Sequence, residues 1–564
     1  MCGLLTIGGN ELTLQEQGAH LESVKRRSRP HATRPLTTVL KPVRWLALTV
    51  MTALALIAAP GAAVGAPRAS FTVEEATVAD IHAAFADKSL SCAQLVDAYL
   101  QRIAAYDDAG PELNTLISVA PDAMRQARRL DATYRSHGPV GPLHCIPVIL
   151  KDNIDTLDMF TTGGSLTLWG TFPTEEAFIT TELRAAGALI LAKGNLDEWA
   201  HGGAGGYSSA GGRTYNPYNL GTPSGSSGGP AAAVAANFGV IGIGSDTLGS
   251  IRGPVGTNNL AGVKPTLGLV SGTGVIPFAL MFDVAGPMTR TVTDAAETLN
   301  VIAGLDPADP RTRASVGKVP ADYTDFLDKD ALEGARIGVL RTYYGTSALH
   351  DQVIADLEAA GAEIVDGIEA PASIRSLSAD YYQLISETEF VHYLGEYLQT
   401  RRPDAPVQTH ADVLEAGEAD DFPIAPEVLV RLQREATRGT MSDPEYVEAA
   451  AYAPAAMRAG IDQMLEDNDV DALLHTGGSQ LESFSGYPSA IVQAGFGSDG
   501  SGQAIQFLGP AFSEPTLLGF AYAYEQATMH RRAPNVHTPP LVYRPPLGPA
   551  PGCGRAPGRA VGCG

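Results

Sequence analysis

From Gly202 to Gly229 the chain is so dense in glycine and serine that a helix or a central strand is excluded over most of it. Glycine loses more conformational freedom on ordering than any other residue, so such a run is costly unless something requires it. The residues after it are regular at once: an alanine-rich helix from Ala231 to Asn237, then an apolar strand from Phe238 to Ile243. A flexible linker has no reason to be clamped this way. A Gly/Ser loop held between regular elements instead brings backbone close to a ligand.

The flanks predict an α/β domain. His144 to Leu150 is a short apolar run that fits a buried strand ending at Lys151, and Ala188 to Ala192 is another. A helix from Glu176 to Ala186, stopped at Gly187, lies between them. From Phe71 to about Gly138 the chain reads as helical. One stretch starts at Val78, a second follows Ser91 as N-cap, and a third runs from Pro121 to about Arg135. Further on, helices are expected at 350–361, 444–466 and Glu514–Thr528. Strands are expected at Arg336–Leu340, Asp471–Leu474 and Gln503–Leu508. Strands alternating with helices predict layers around one sheet. Residues 310–485 show no chemical motif and are expected to carry substrate-specific structure.

Charge and chain ends narrow the partners. A net charge of −23 argues against nucleic acid as a partner, since phosphate binding needs a basic surface. Basic residues between Lys25 and Arg44 precede an apolar run from Trp45 to Ala59, then small residues up to Ala66. That order predicts a secretory leader over 1–66, with Val64 and Ala66 before the cut, and a secreted or periplasmic product without lasting membrane insertion. The apolar run is short for a bilayer span. The domain is expected over 67–540, and a disordered Pro/Gly-rich tail over 541–564. Of five cysteines, Cys2 falls in the leader and Cys553 and Cys563 in the tail. Cys92 and Cys145 are expected as two separate buried thiols, one bridge being the alternative. Their spacing excludes a structural zinc site.

Two serines compete as nucleophile. Gly225-Ser226-Ser227-Gly228-Gly229 fits a nucleophile elbow centred on Ser227, and His201-Gly202-Gly203 imitates an esterase oxyanion loop. An elbow needs a strand directly before it, and Asn216 to Ser224 reads as loop. The second candidate is Ser250. It lies in the tight turn Ser245-Asp246-Thr247-Leu248-Gly249-Ser250-Ile251-Arg252, which comes directly after a strand.

At these positions the sequence resembles the amidase-signature family. The matching stretches are Gly141 to Asn153, Gly194 to Trp199, Ser224 to Gly229, Ser245 to Arg252, Gly262 to Ser271, Phe282 to Met288 and Gly486 to Ser489. They occur in family order and cover about residues 75–535. The resemblance implies a single large domain with a mixed β-sheet between layers of α-helices. It also implies hydrolysis of a linear carboxamide to an acid and ammonia or an amine, with no metal or cofactor. Carried onto matching positions, Ser250 is the nucleophile, Lys151 the base and Ser226 the cis-serine between them. The backbone N–H groups of Thr247, Leu248 and Gly249, with that of Ser250, form the oxyanion hole. Ser227, Asp246 and Arg252 are supporting residues, Asp152 and Asn153 hold Lys151, and His144 and His201 are ordinary loop polar groups.

The chemistry is sound on its own terms. A serine hydroxyl needs a neighbour to take its proton, a lysine does so only when burial keeps it neutral, and a hydroxyl relays protons both ways. One departure stands out: the family commonly has glycine where this chain has Leu248. Either Leu248 keeps a negative φ or the oxyanion hole is altered; a further expectation is that its side chain projects into the acyl pocket and limits substrate shape. The Gly486-Tyr487-Pro488 region and Gly509 to Glu514 look most like exported or peptide-amide-hydrolysing members. The alternatives are an esterase using Ser227, a component of a transamidation enzyme working on charged transfer RNA, and a non-catalytic binding member. Acidity and the leader oppose the second; retention of Lys151, Ser226 and Ser250 opposes the third.

Overall fold

The structure is a computed structural model that describes residues 71–477 and 480–536. The expected leader, the expected tail, and Cys2, Cys553 and Cys563 lie outside the described residues. Strands occur in the order β1 (Leu116–Val119), β2 (Pro147–Lys151), β3 (Leu189–Gly194), β4 (Tyr207–Ser208), β5 (Gly212–Arg213), β6 (Ile241–Asp246) and β7 (Ala261–Lys264). They continue with β8 (Val284–Thr289), β9 (Arg336–Leu340), β10 (Glu363–Ile368), β11 (Ala472–His475), β12 (Ser489–Phe496) and β13 (Gly502–Leu508).

Apart from the β4–β5 hairpin, these strands form one sheet in the order β1-β3-β2-β6-β8-β7-β12-β13-β11-β9-β10. β2 pairs in parallel with β3 and β6, and β9 with β10 and β11. The remaining pairings, β1–β3 and β6–β8–β7–β12–β13–β11, are antiparallel, so the sheet is mixed as expected. β2, β3 and β6 are buried at every residue, which is why two of them read as unbroken apolar runs. The helix Gly228–Ala235 packs on β2, β6 and β8, and all eight of its residues are buried. Its alanines let the backbone lie close to the sheet. A second cluster gathers Phe278, Phe282 and Phe484 with the helices Leu377–Arg401, Pro426–Glu435 and Pro444–Asn468.

Parallel neighbours β2 and β6 end at the same edge of the sheet. Leu150 registers with Ile243, so Lys151 at the end of β2 meets Ser245 near the end of β6. Catalytic groups in α/β sheets are commonly presented from carboxyl ends of this kind.

Three expectations are corrected. The stretch 71–138 has the three expected helices, Val78–Ala86, Cys92–Tyr106 and Ala123–His137, but also strand β1 between the last two, which was not expected. The strand expected at 238–243 starts three residues later, because Phe238 and Val240 are buried in the turn that leaves the alanine helix. Cys92 and Cys145 are not separate thiols but form a disulfide, with Cα atoms 5.8 Å apart. Other elements fall where expected, and Ser91 does cap the helix Cys92–Tyr106, in a capping box with Gln94.

Candidate active site

Lys151 is fully buried, and its Nζ lies 2.7 Å from Ser226 Oγ. Nζ also reaches both oxygens of Ser245, Oγ at 2.8 Å and the carbonyl at 3.4 Å. Burial pushes the lysine down to about 7, against the opposing pull of Asp197, Asp246 and Asp283. A large fraction of Lys151 is therefore neutral at neutral pH, the form a base requires.

The Gly225–Ser226 peptide bond is cis. A Cβ at Gly225 would collide with the Asp197 carboxylate, and one at Gly229 with the backbone of Asn195. Close approach therefore explains these two glycines. Asp197 N–H donates to Ser226 O at 3.2 Å, and Gly229 N–H to Asn195 O at 2.9 Å, fixing the loop against the end of β3. Ser227 is fully buried and braces β6: its hydroxyl donates to Ser245 O at 3.0 Å and accepts from Ser245 N at 3.2 Å. The residues before Ser227 form no strand, so the elbow geometry is absent.

Ser250 lies in the turn after β6, and its carbonyl accepts from Ser227 N at 3.3 Å. That bond brings the Ser250 backbone beside the Ser226–Ser227 pair. Among the described residues, no hydrogen bond joins Ser250 Oγ to Ser226. Asp246 organises the turn. Its Oδ1 accepts from Gly249 N at 2.7 Å and its Oδ2 from Ile251 N at 2.9 Å. The N–H of Gly249, one of the donors expected for an oxyanion, is thus engaged by Asp246. Leu248 is half-buried and avoids positive φ; Gly249 takes φ 99° instead. This is the first of the two outcomes posed by that leucine.

Arg252 spans the site's base. Its Nε lies 3.3 Å from Asp246 Oδ2, its NH1 donates to Glu482 Oε2 at 2.7 Å, and its NH2 to Ser483 Oγ at 3.0 Å. His475 Nε2 lies 2.8 Å from the other Glu482 oxygen. Burial pushes the Glu482 carboxyl up, but Arg252 and His475 outweigh it and hold it well below the usual range. Thr247 Oγ1 donates to Asp283 Oδ1 at 2.6 Å, and burial raises the Asp283 carboxyl to about 6.

Other expected residues fall differently. Asn153 acts one step from the lysine, donating to Ser245 Oγ at 3.0 Å, whereas Asp152 pairs with Lys193 at 3.2 Å rather than with Lys151. His201 and His144 lie in loops, as expected, and both are buried. His201 packs between Phe278 and Phe390 and bonds Glu435 at 2.8 Å. Ser245, Asp283, His475 and Glu482 were not singled out individually from sequence. Ser245 had a signal, its place next to Asp246 at the strand end; Glu482 had none, 230 residues from Arg252. Among the described residues no group of three or more His, Cys, Asp or Glu side chains is arranged to hold a metal ion, and no helix is long and apolar enough to cross a membrane.

Comparison with known proteins agrees with this geometry. Residues 94–518 match the Amidase family. A probable amidase of Arabidopsis thaliana is 37% identical over 489 residues, covering 82% of this chain and 92% of that protein. A glutamyl-tRNA(Gln) amidotransferase component of Synechococcus sp. (strain JA-3-3Ab) is 35% identical, covering 82% of this chain and 94% of that one. The native peptide amidase of Stenotrophomonas maltophilia superposes with a TM-score of 0.77 at 39% identity, covering 82% of this chain and 99% of that structure. The chain belongs to the amidase-signature family and is a serine amidase.

Proposed function

We propose that the protein is an exported amidase that cleaves the C–N bond of a linear carboxamide through an acyl-enzyme on Ser250, with Lys151 as base and Ser226 as relay. The observation that carries this reading is the 2.7 Å contact between Ser226 Oγ and a lysine that burial holds near neutrality. Two amine hydrogens directed at Ser245 leave the Lys151 lone pair facing Ser226 Oγ. Ser226 passes its proton to Lys151 as it takes the proton of Ser250. Ser250 Oγ attacks the carbonyl carbon, and the oxyanion is received by the N–H groups of Thr247, Leu248 and Ser250. The proton returns through Ser226 to the leaving nitrogen, and water then cleaves the ester by the same route in reverse. The step from Ser226 to Ser250 is the contact this proposal adds; such bonds commonly tighten only with substrate bound.

Likeness to the peptide amidase favours a peptide or amino-acid amide as substrate. Export is supported by the Cys92–Cys145 disulfide, because structural disulfides persist in oxidising compartments. It is supported also by the basic-then-apolar order of residues 25–66. The test is ammonia release from aliphatic, aromatic and peptide amides, beside Ser250→Ala. Activity lost in that variant is the expected result. Full activity in it, or no activity of the wild type on any amide, overturns the proposal. A Ser227 esterase would survive loss of Ser250.

A further inference from the structure

We infer that Asp283 is a positioning residue for the assigned hydrolysis: its carboxylate fastens the turn that leads into Ser250 to the wall of the adjoining cavity. This rests on the reading of Ser250 as nucleophile and Lys151 as base. Strand register places the residue. β6 and β8 are antiparallel with Asp246 opposite Val284, so one step beyond the ladder Asp283 lies across from Thr247. Its Oδ1 accepts from Thr247 Oγ1 at 2.6 Å. Its Oδ2 accepts from the N–H groups of Phe278 at 2.7 Å and Ala279 at 2.9 Å. The two oxygens thus hold two different segments.

Both segments border one cavity, lined among others by Ser245, Thr247, Phe278, Leu280, Asp283 and Arg311. Ser245 is also the residue whose Oγ lies 2.8 Å from Lys151 Nζ. The 278–281 wall is braced from behind: Met281 N–H donates to Glu389 Oε2 at 3.0 Å, and Arg311 NH1 to Leu280 O at 2.8 Å. On the other side, Asp246 grips the turn at Gly249 and Ile251, and Asp283 grips it at Thr247. Misplacing a reacting group by about 1 Å can cost on the order of 100-fold in rate. Three donors converge on Asp283, and a carboxylate accepts from all of them. Asparagine can keep the same bonds, its oxygen taking the two backbone N–H groups and its amide donating to Thr247 Oγ1, because a hydroxyl accepts as well as donates. Alanine keeps none of them.

The charge of Asp283 reaches further than its bonds. With Asp197 and Asp246, it favours the protonated form of Lys151. Around Asp283 itself stand Arg311, which favours its ionised form, and Tyr382 and Glu389, whose ionisation it opposes. Arg311 is paired with Asp309 at 2.7 Å. Asp246 has Arg252 and Lys264 beside it, and Asp197 has Arg431. Removing the Asp283 charge while keeping its bonds leaves those groups in place and makes Lys151 easier to deprotonate.

The test is the rate at which the full chain is labelled by a fluorophosphonate. An activated serine attacks its phosphorus and fluoride leaves, so the natural substrate need not be known. Mass spectrometry locates the label, which is expected on Ser250. A label on Ser227, or none in the wild type, overturns the assigned nucleophile and this inference with it. With the label on Ser250, Thr247→Val and Asp283→Ala should each react about 10-fold more slowly or worse. Thr247→Ser, which keeps the hydroxyl, should recover most of that loss. Asp283→Asn should lose less than Asp283→Ala, and its rise of rate with pH should move to lower pH by about 0.5 unit. A residue that served folding alone would leave that rise where it is. If Asp283→Ala does not fold, the Thr247 pair and Asp283→Asn decide. Equal rates for Thr247→Val and Thr247→Ser, or a pH profile unmoved in Asp283→Asn, overturn the inference while leaving Ser250 as nucleophile.

Discussion

Ser245 presents both of its oxygens to Lys151, Oγ at 2.8 Å and the carbonyl at 3.4 Å from Nζ. A neutral amine has two hydrogens and one lone pair. With the hydrogens spent on Ser245, the lone pair is left for Ser226 at 2.7 Å. Ser245 therefore acts as a positioning residue. Ser245→Ala keeps the carbonyl and removes the better of the two acceptors. Expected is a fall in kcat of about 10–100-fold, a part of what a well-placed base contributes. KM should move little, and Ser245→Thr should restore most of the rate. Steady-state kinetics on one amide checks it, and a change in KM alone would point to a different role.

The pH dependence has its origin in the same lysine. Burial brings Lys151 down to about 7, and only its neutral form accepts a proton. The rate should therefore rise with pH through about 7 and level off above it. The limb belongs to kcat/KM, which reports the free enzyme. A profile flat from about pH 5 to about pH 9 would exclude a titrating lysine as the base.

What the sequence made visible depended on whether the signal was local. Lys151 stood at the end of an apolar run, and that run is β2. The Ser226 loop was legible because glycines at 225 and 229 answer to close contacts with Asp197 and Asn195. β6 was displaced by three residues because apolar content marks burial, not strand, and Phe238 is buried without being in one. β1, four residues long between helices, was too short to show a period of two. The disulfide and the Arg252–Glu482 pair join positions 53 and 230 residues apart, and no local pattern encodes such partners.

Glu482 reaches the turn that carries Ser250 through Arg252 at 2.7 Å, with both side chains buried. Glu482→Gln removes one of the carboxylates that face the Arg252 guanidinium in a dry setting. Removing one partner of a buried pair typically costs about 3–5 kcal/mol, and the turn that carries Ser250 should loosen as well. The Glu482 carboxyl is held well below its ordinary 4.5 by Arg252 and His475, against burial. Its contribution is therefore present above that value and lost as pH falls toward the folded value. Thermal unfolding should show the variant's deficit largest near neutral pH and shrinking in acid. A constant deficit at every pH would assign the loss to packing rather than charge.

The disulfide ties the start of the helix Cys92–Tyr106 to Cys145, two residues before β2. Closing a loop of this size restricts the unfolded chain, and losing such a bridge typically costs about 2–4 kcal/mol. The Cys92→Ala/Cys145→Ala double variant should melt at lower temperature. Because β2 carries Lys151 and is itself buried in the sheet, the folded variant should keep its kcat at moderate temperature. Loss of kcat at a temperature where the protein remains folded would show that the bridge also sets the position of the lysine.

Glu525 supplies a pH effect of opposite sign. It lies in the helix Glu514–Thr528, and its Oε1 accepts from Val292 N at 2.9 Å, at the start of the helix Val292–Ile302. Burial raises its carboxyl to about 7, with the nearby Asp294 adding to the rise and the Val292 bond opposing it. A carboxyl raised in the folded state keeps its proton longer there than in the unfolded chain. Its contribution is full below the ordinary value of 4.5 and is lost as pH rises through about 7. Glutamine keeps the acceptor for Val292 and removes the ionisation. Glu525→Gln should match the wild type in melting temperature near about pH 5 and exceed it near about pH 8, the gap opening as the wild-type carboxylate forms in its buried site. Melting curves at closely spaced pH values decide it: parallel profiles for the two proteins would mean that Glu525 is not the group that titrates.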